Sequence, residues 1–173
     1  MARVLIATDG SDVAVAAAER AVALLGPSCA YALLAVVPPP ASDFLAPGTG
    51  DMAVVGGIGA GGLGAAAYVP EVAERQAAAF SAEAHKMLER TAAALPEALD
   101  VEHRIEQGDP ASVICEVAAE GNFDVITLGS HGTGFVRRLL LGSVSHHVLH
   151  HAPCPVLVMR EADHGHPDDS SSV

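Results

Sequence analysis

The chain has 173 residues, half of them hydrophobic but only 3% aromatic, with no tryptophan; this length holds one domain and excludes two of ordinary size, and the core has to be packed from Val, Leu, Ile and Ala. A formal charge of -12 repels a phosphate backbone, and the basic pair Arg137-Arg138 is too small to offset it, which disfavours nucleic acid as the main partner. Three cysteines, Cys29, Cys115 and Cys154, make an odd set without CxxC spacing, as expected of a reducing, cytoplasmic setting where thiols serve as small core residues.

The opening MARVLIATDGS carries one basic residue and an apolar run too short for a signal peptide. Within it, Arg3 to Ala7 reads as a buried strand that ends in the turn Thr8-Asp9-Gly10. Ser11 caps a helix whose small apolar residues, Ala14, Ala17, Ala18, Ala21 and Leu25, recur with helical period until Gly26-Pro27 stops it. Tyr31 to Val37 is apolar throughout, a second buried strand cut off by Pro38-Pro39-Pro40. Strand, helix and strand in that order imply a parallel pair.

Residues 41–70 are proline-rich and then glycine-rich, with few side chains to hold a core, and are expected to form a mobile excursion. Met52 to Pro70 runs 19 residues without a charge, close to membrane-spanning length, but its glycine and alanine content and its lack of a basic flank argue against insertion. A GxGxxG at Gly57, Gly59 and Gly62 overlaps a second match at Gly59, Gly61 and Gly64, as repetitive glycine does. No strand ending in an acid follows about 20 residues later, so it is not read as a dinucleotide site.

Beyond Pro70 the helical period returns through Phe80, Ala84, Leu88, Thr91 and Leu95. Val101, His103 and Ile105 then alternate with polar neighbours, the pattern of a third strand with one wetter face at a sheet edge. Asp109-Pro110 starts a helix with an N-cap acceptor and a proline suited to its first position. Ile114, Val117 and Ala118 form its buried stripe, and Gly121-Asn122 ends it. Val125 to Leu128 is a fourth buried strand. A helix from Ser143 runs through Val144, Val148 and Leu149 to Ala152, and Pro155 to Met159 is the fifth strand. Residues 161–173 are acidic, poor in apolar side chains and expected to be disordered. The fold class is α/β, an open five-stranded parallel sheet with helices on both faces.

Two loops carry chemistry at strand carboxyl ends: Thr8-Asp9-Gly10 after the first strand and Gly129 onward after the fourth. In a doubly wound sheet, ligands sit outside the carboxyl ends where the winding reverses, so these loops face one crevice if their strands are neighbours. Gly129, Gly132, Gly142 and Ser143 form the series G-x2-G-x9-G-S. Glycine lets backbone approach an anion, amides at the start of the last helix point at phosphate, and Ser143 can cap that helix and donate its hydroxyl. The competing reading is structural, with glycines for a tight turn and a serine for a cap. There is no GxxxxGK[ST], so this is not an ordinary P-loop.

VLIATDGS, LLAVV, the GDP turn at Gly108 to Pro110, FDVITLGSHG and GSVSHHVLHHAPCPVLVM together make the chain resemble a universal stress protein of the nucleotide-binding kind, over nearly all of its length. The resemblance implies one such domain over residues 1–160, a strand order of 3-2-1-4-5, and ATP, or ADP or AMP in its place, between the first and fourth strands. It also implies a homodimer paired through the fifth strand, residues 155–160; an ion accompanying the phosphates, as ATP hydrolysis would need, is expected to be Mg²⁺ or Mn²⁺. Carried over by position, Thr8 and Asp9 lie at the ribose or adenine side, and Val36 meets the adenine through its backbone. Gly129, Gly132, Gly142 and Ser143 hold ribose and phosphates, with His131, Thr133 and Val144 beside them. Asp9 as a turn residue alone and Val36 as core alone stay open as alternatives.

The function expected is that of an ATP-binding regulatory protein of the stress response, with no membrane or nucleic-acid partner and a downstream protein partner that the sequence does not identify. Two rivals stand beside it: slow ATP hydrolysis or self-phosphorylation resting on Asp9, His131 and an arginine, and a nucleotide-independent interaction module built on residues 41–70. His146 with His150, and His147 with His151, are i, i+4 pairs that could each chelate a metal on a helix face. The alternative is a solvated helix end where histidine suits the dipole, and the sequence assigns them no metal.

Overall fold

The computed structural model describes residues 1–38, 70–132 and 141–160. Among them are five strands, β1 (Arg3–Ala7), β2 (Ala30–Val37), β3 (Val101–Gln107), β4 (Val125–Gly129) and β5 (Val156–Met159), and four helices, α1 (Asp12–Leu25), α2 (Pro70–Ala92), α3 (Pro110–Glu120) and α4 (Ser143–His151). The strands form one parallel sheet in the order β3-β2-β1-β4-β5. The expected excursion over residues 41–69, Thr133, Arg137, Arg138 and the tail over 161–173 lie outside the described residues.

Side-chain alternation splits the sheet into two faces and so makes two cores. Val4, Ile6, Tyr31, Leu33, Ala35 and Val37 pack beneath α1 and α2, against Ala18, Ala21, Ala84 and Leu88. Leu5, Ala7, Ala32, Leu34, Ile126 and Leu128 pack beneath α3 and α4, against Ile114, Val117, Ala118 and Val148. Strands buried on both sides have to be apolar at every position, which is why RVLIA and YALLAVV show no alternation. The narrow alanine stripe of α1 lets that helix lie close to the sheet. Two buried aromatics join the aliphatic core, Phe123, with the Arg3 guanidinium 4.8 Å from its ring centre, and Tyr31, whose hydroxyl donates to the Gly26 carbonyl at 2.7 Å; Phe80 packs at its margin.

The helix ends follow their local chemistry. Ser11 accepts from the Ala14 amide at 3.2 Å, and Gly26, at φ 80°, closes α1. Asp109 accepts from both the amide and the hydroxyl of Ser112 at 3.0 Å, with Pro110 in the first turn. Three details depart from the expectations. His103 is exposed although Val101 and Ile105 on either side of it reach the core margin, because β3 is an outermost strand where a polar ring keeps its contact with water. Leu149 is 45% exposed on the outer side of α4. Ser143 is the first residue of α4 rather than its cap; Gly142 holds the cap position and supplies no side-chain bond.

The hydrogen bonds from Ser112, helped by the charge of His147, hold the Asp109 carboxyl below its usual value. A carboxylate with a lowered folded value contributes stability above its unfolded value, near pH 4, and loses that contribution as pH falls through the lowered one. Replacing Asp109 by Ala is therefore expected to cost about 1 kcal/mol at pH 7. Urea unfolding should show that difference shrink as pH is taken below 4.

Candidate functional site

The chain winds outward from β1 to β2 and β3, then returns to place β4 and β5 on the other side of β1. The helices leaving β1 and β4 consequently pass to opposite faces, and the carboxyl ends of these two paired strands open into a crevice. A cavity of about 370 Å³ lies there. Leu34, Val36, Pro110, Ile114, Leu128 and Val144 give it apolar walls, and Thr8, Asp9, Gly129, His131, Gly132, Gly142, Ser143 and Ser145 line it with polar groups and backbone.

The β1–α1 loop is set by a chain of hydroxyls. The Gly10 amide donates to Thr8 Oγ1 at 3.0 Å, Thr8 Oγ1 lies 2.8 Å from Thr91 Oγ1, and Thr91 in turn donates to the Met87 carbonyl at 2.9 Å. Because the Thr91 proton goes to Met87, the Thr8 hydroxyl is the donor between the two threonines, and each bond polarises the next. Both threonines are buried. Arg90 fastens the same loop from outside, donating to the Gly10 carbonyl and to Asp12, each at 2.5 Å. Gly10 sits at φ 70°, and a Cβ there would stand 3.1 Å from the Met87 backbone, so the close approach of α2 requires glycine. Asp9 is turned by its bond from the Ser11 amide, 3.1 Å from Oδ1.

The second loop meets the first at Gly132. A Cβ at Gly132 would stand 2.4 Å from Asp9 Oδ2, so the carboxylate lies against bare backbone. Gly129 is less confined, since its Cβ would stand 3.0 Å from Val13 Cγ1. The return into α4 is fixed by two bonds, Gly142 N–H to the Ser130 carbonyl at 2.7 Å and Ser145 Oγ to the Gly129 carbonyl at 2.8 Å. Glycine at the cap makes no side-chain bond to the first turn, and the leading amides of α4 form the positive end of the helix dipole, which favours an outside acceptor. An anion fits there.

The structure brings Thr8, Asp9, Val36, Gly129, His131, Gly132, Gly142, Ser143 and Val144 to one cavity; Thr133 lies outside the described residues. Among the described lining residues the ionisable side chains are Asp9 and His131. Sequence reasoning missed the apolar wall from α3, Pro110 and Ile114, together with Leu34, Leu128 and Ser145. The Gly108-Asp109-Pro110 turn was the available signal, because it starts a helix level with the carboxyl ends of the strands. His146, His147, His150 and His151 are absent from the lining.

Comparison with known proteins agrees with this arrangement. The universal stress protein Slr1101 of Synechocystis is 43% identical over 68 residues, 38% of this chain and 63% of that one; the chain thus matches under two thirds of that relative's length. The solved structure of universal stress protein UspA from Lactobacillus plantarum superposes with a TM-score of 0.66 at 25% identity, covering 92% of this chain and 97% of that one. A universal stress protein family protein from Arabidopsis thaliana, At3g01520, solved with AMP bound, superposes with a TM-score of 0.58 at 20% identity over 97% of both chains. Residues 1–160 match the family model described as the universal stress protein family, and the chain belongs to that family.

Proposed function

We propose that the chain binds an adenine nucleotide in the crevice between β1 and β4, with ATP as the first reading and ADP or AMP behind it, and that it acts as a nucleotide-dependent regulatory protein of the stress response. One observation carries the proposal: an apolar-walled cavity ends on the uncapped amides of α4 and on the joint of Asp9 with Gly132. That combination suits a ligand with a flat, weakly polar ring at one end and an anion at the other. Val36 and the α3 wall would hold the base, and the backbone at Gly142 and Ser143 would hold the phosphates. Asp9, being a carboxylate, repels phosphate and suits the ribose hydroxyls, which donate hydrogen bonds to it. The AMP-bound Arabidopsis relative supports a ligand of this class.

The role is that of a holder. Fast phosphoryl transfer needs a positioned base and concentrated positive charge, whereas here backbone amides and a helix dipole would meet the anion, and an accompanying Mg²⁺ or Mn²⁺ would supply further positive charge. We further propose a homodimer paired along β5, an edge strand of apolar residues (VLVM) that would otherwise stand unpaired. The carbonyls of Pro155 and Met159 accept from β4, so by strand alternation the backbone groups of Val156 and Val158 face the free edge.

Mass analysis of the nucleotide released on denaturing the purified protein is expected to find an adenine nucleotide; a chain that is well folded and stays empty at millimolar ATP would reject the reading. Asp9→Ala should weaken ATP binding by about tenfold, the value of one hydrogen bond to a charged group. Gly132→Ala should weaken it by displacing the Asp9 carboxylate, and should add little in the Asp9→Ala background. Val158→Pro removes an outward N–H without touching the β4 ladder, so light scattering should show a folded monomer in place of a dimer.

A further inference from the structure

Ala84, Leu88 and Leu95, on α2 and the turn after it, bury apolar side chains in the core beneath α1 and α2, whereas Thr91, equally buried, brings a hydroxyl. Valine has the same shape without the cost of burying an oxygen, so the hydroxyl answers to something besides packing. Its own proton is satisfied within the helix, by the Met87 carbonyl four residues back at 2.9 Å. The oxygen can still accept, and Thr8 Oγ1 lies 2.8 Å away. The bond between the two threonines therefore serves Thr8: without it the Thr8 hydroxyl loses this acceptor, while Thr91 keeps Met87.

Thr8 passes the constraint on. It lines the cavity, so its hydroxyl can turn toward the ligand space or toward α2, and the bond to Thr91 selects α2. Held that way, Thr8 Oγ1 receives the Gly10 amide at 3.0 Å. The Gly10 N–H belongs to the peptide plane that joins Asp9 to Gly10, so this bond fixes ψ of Asp9. The Gly10 carbonyl, in the next plane, accepts from Arg90. Two successive peptide planes after Asp9 are thus anchored to two successive residues of α2, and the Asp9 carboxylate is set against Gly132.

We propose that Thr91, which is not among the residues lining the cavity, is a positioning residue of the nucleotide site. Through Thr8 and the Gly10 amide it aims Asp9 at the ribose hydroxyls, and so sets the preference for a nucleotide that carries them. Arg90 supports the same turn from the solvent side. The inference rests on the reading of the crevice as an adenine-nucleotide site with Asp9 at the ribose. A carboxylate gains from hydroxyl donors only when they meet its oxygens at hydrogen-bond distance and angle. The apolar walls and the amides of α4 act on base and phosphate whether the hydroxyls are there or not. Loss of aim at Asp9 is therefore felt by ribose and not by the rest of the ligand.

The test is equilibrium binding of ATP and of 2′,3′-dideoxy-ATP, which lacks both ribose hydroxyls, to the nucleotide-stripped chain and its variants. Thr91→Val is expected to weaken ATP binding by about threefold to tenfold, the range of one hydrogen bond, and to leave the dideoxy analogue nearly unchanged. Thr91→Ser, which keeps the hydroxyl, should restore ATP binding, and Thr91→Val should add little in the Asp9→Ala background. If Thr91→Val does not fold, Arg90→Met, at an exposed position, is measured in its place with the same expectation. Equal weakening of the two nucleotides, or a full effect in the Asp9→Ala background, marks a merely structural residue and overturns the proposal. An unmodified chain that binds no adenine nucleotide overturns the reading of the site together with this inference. An unmodified chain that binds ATP and loses affinity on Asp9→Ala, but not on Thr91→Val, overturns this inference alone.

Discussion

β1 is hydrogen-bonded on both sides, with Val4, Leu5 and Ile6 each facing a residue of β2 and a residue of β4. Much else follows from that shared strand. Parallel neighbours need crossover helices, and a chain that leaves β1 on one side and comes back on the other sends those helices to opposite faces of the sheet. They cannot meet above the carboxyl ends of β1 and β4. The gap between them is the crevice, so the cavity is a product of winding order before any particular side chain enters it.

α2 contributes to the crevice without lining it. It approaches the β1–α1 loop so closely that Gly10 has no room for a side chain, and it holds that loop through a buried hydroxyl relay inside and an arginine outside. Ordinary loops are the least constrained parts of a domain. Here the turn carrying Asp9 is tied to a helix of the core, which presents the carboxylate in one orientation and lowers the entropy lost when a ligand meets it.

Most of the fold was legible because the strands are buried on both faces and the helix ends carry strong local signals. RVLIA and YALLAVV could be assigned from their unbroken apolarity, and Ser11, Gly26 and Asp109 from cap chemistry. Strand order came from family resemblance, since nothing in the periodicity of VITLG says which strand it pairs with. The glycine-serine series located half of the crevice. The other half, Pro110 and Ile114, resembles any amphipathic helix start in sequence, and becomes a wall only through the tertiary placement of α3. The cap of α4 was misassigned for a local reason: Gly-Ser reads as residue and cap, yet the extended backbone of Gly142, at φ -72° and ψ 158°, makes glycine the cap. That difference changes the site, because a serine oxygen at the cap would occupy amides to which Gly142 offers no side-chain bond.

Gly142 also lies across from Ser130 and His131, with its amide on the Ser130 carbonyl and its α-carbon facing that of His131. The end of β4 and the start of α4 are thus joined directly by main-chain contact between residues 130–131 and residue 142. The entropy lost in closing a loop grows by only about 0.6 kcal/mol for each doubling of its length, so the separation in sequence between residues 130 and 142 is a small part of what that joint has to offset. The rim of the crevice is set at this point by a bond between main-chain groups, which a change of the Ser130 side chain leaves in place.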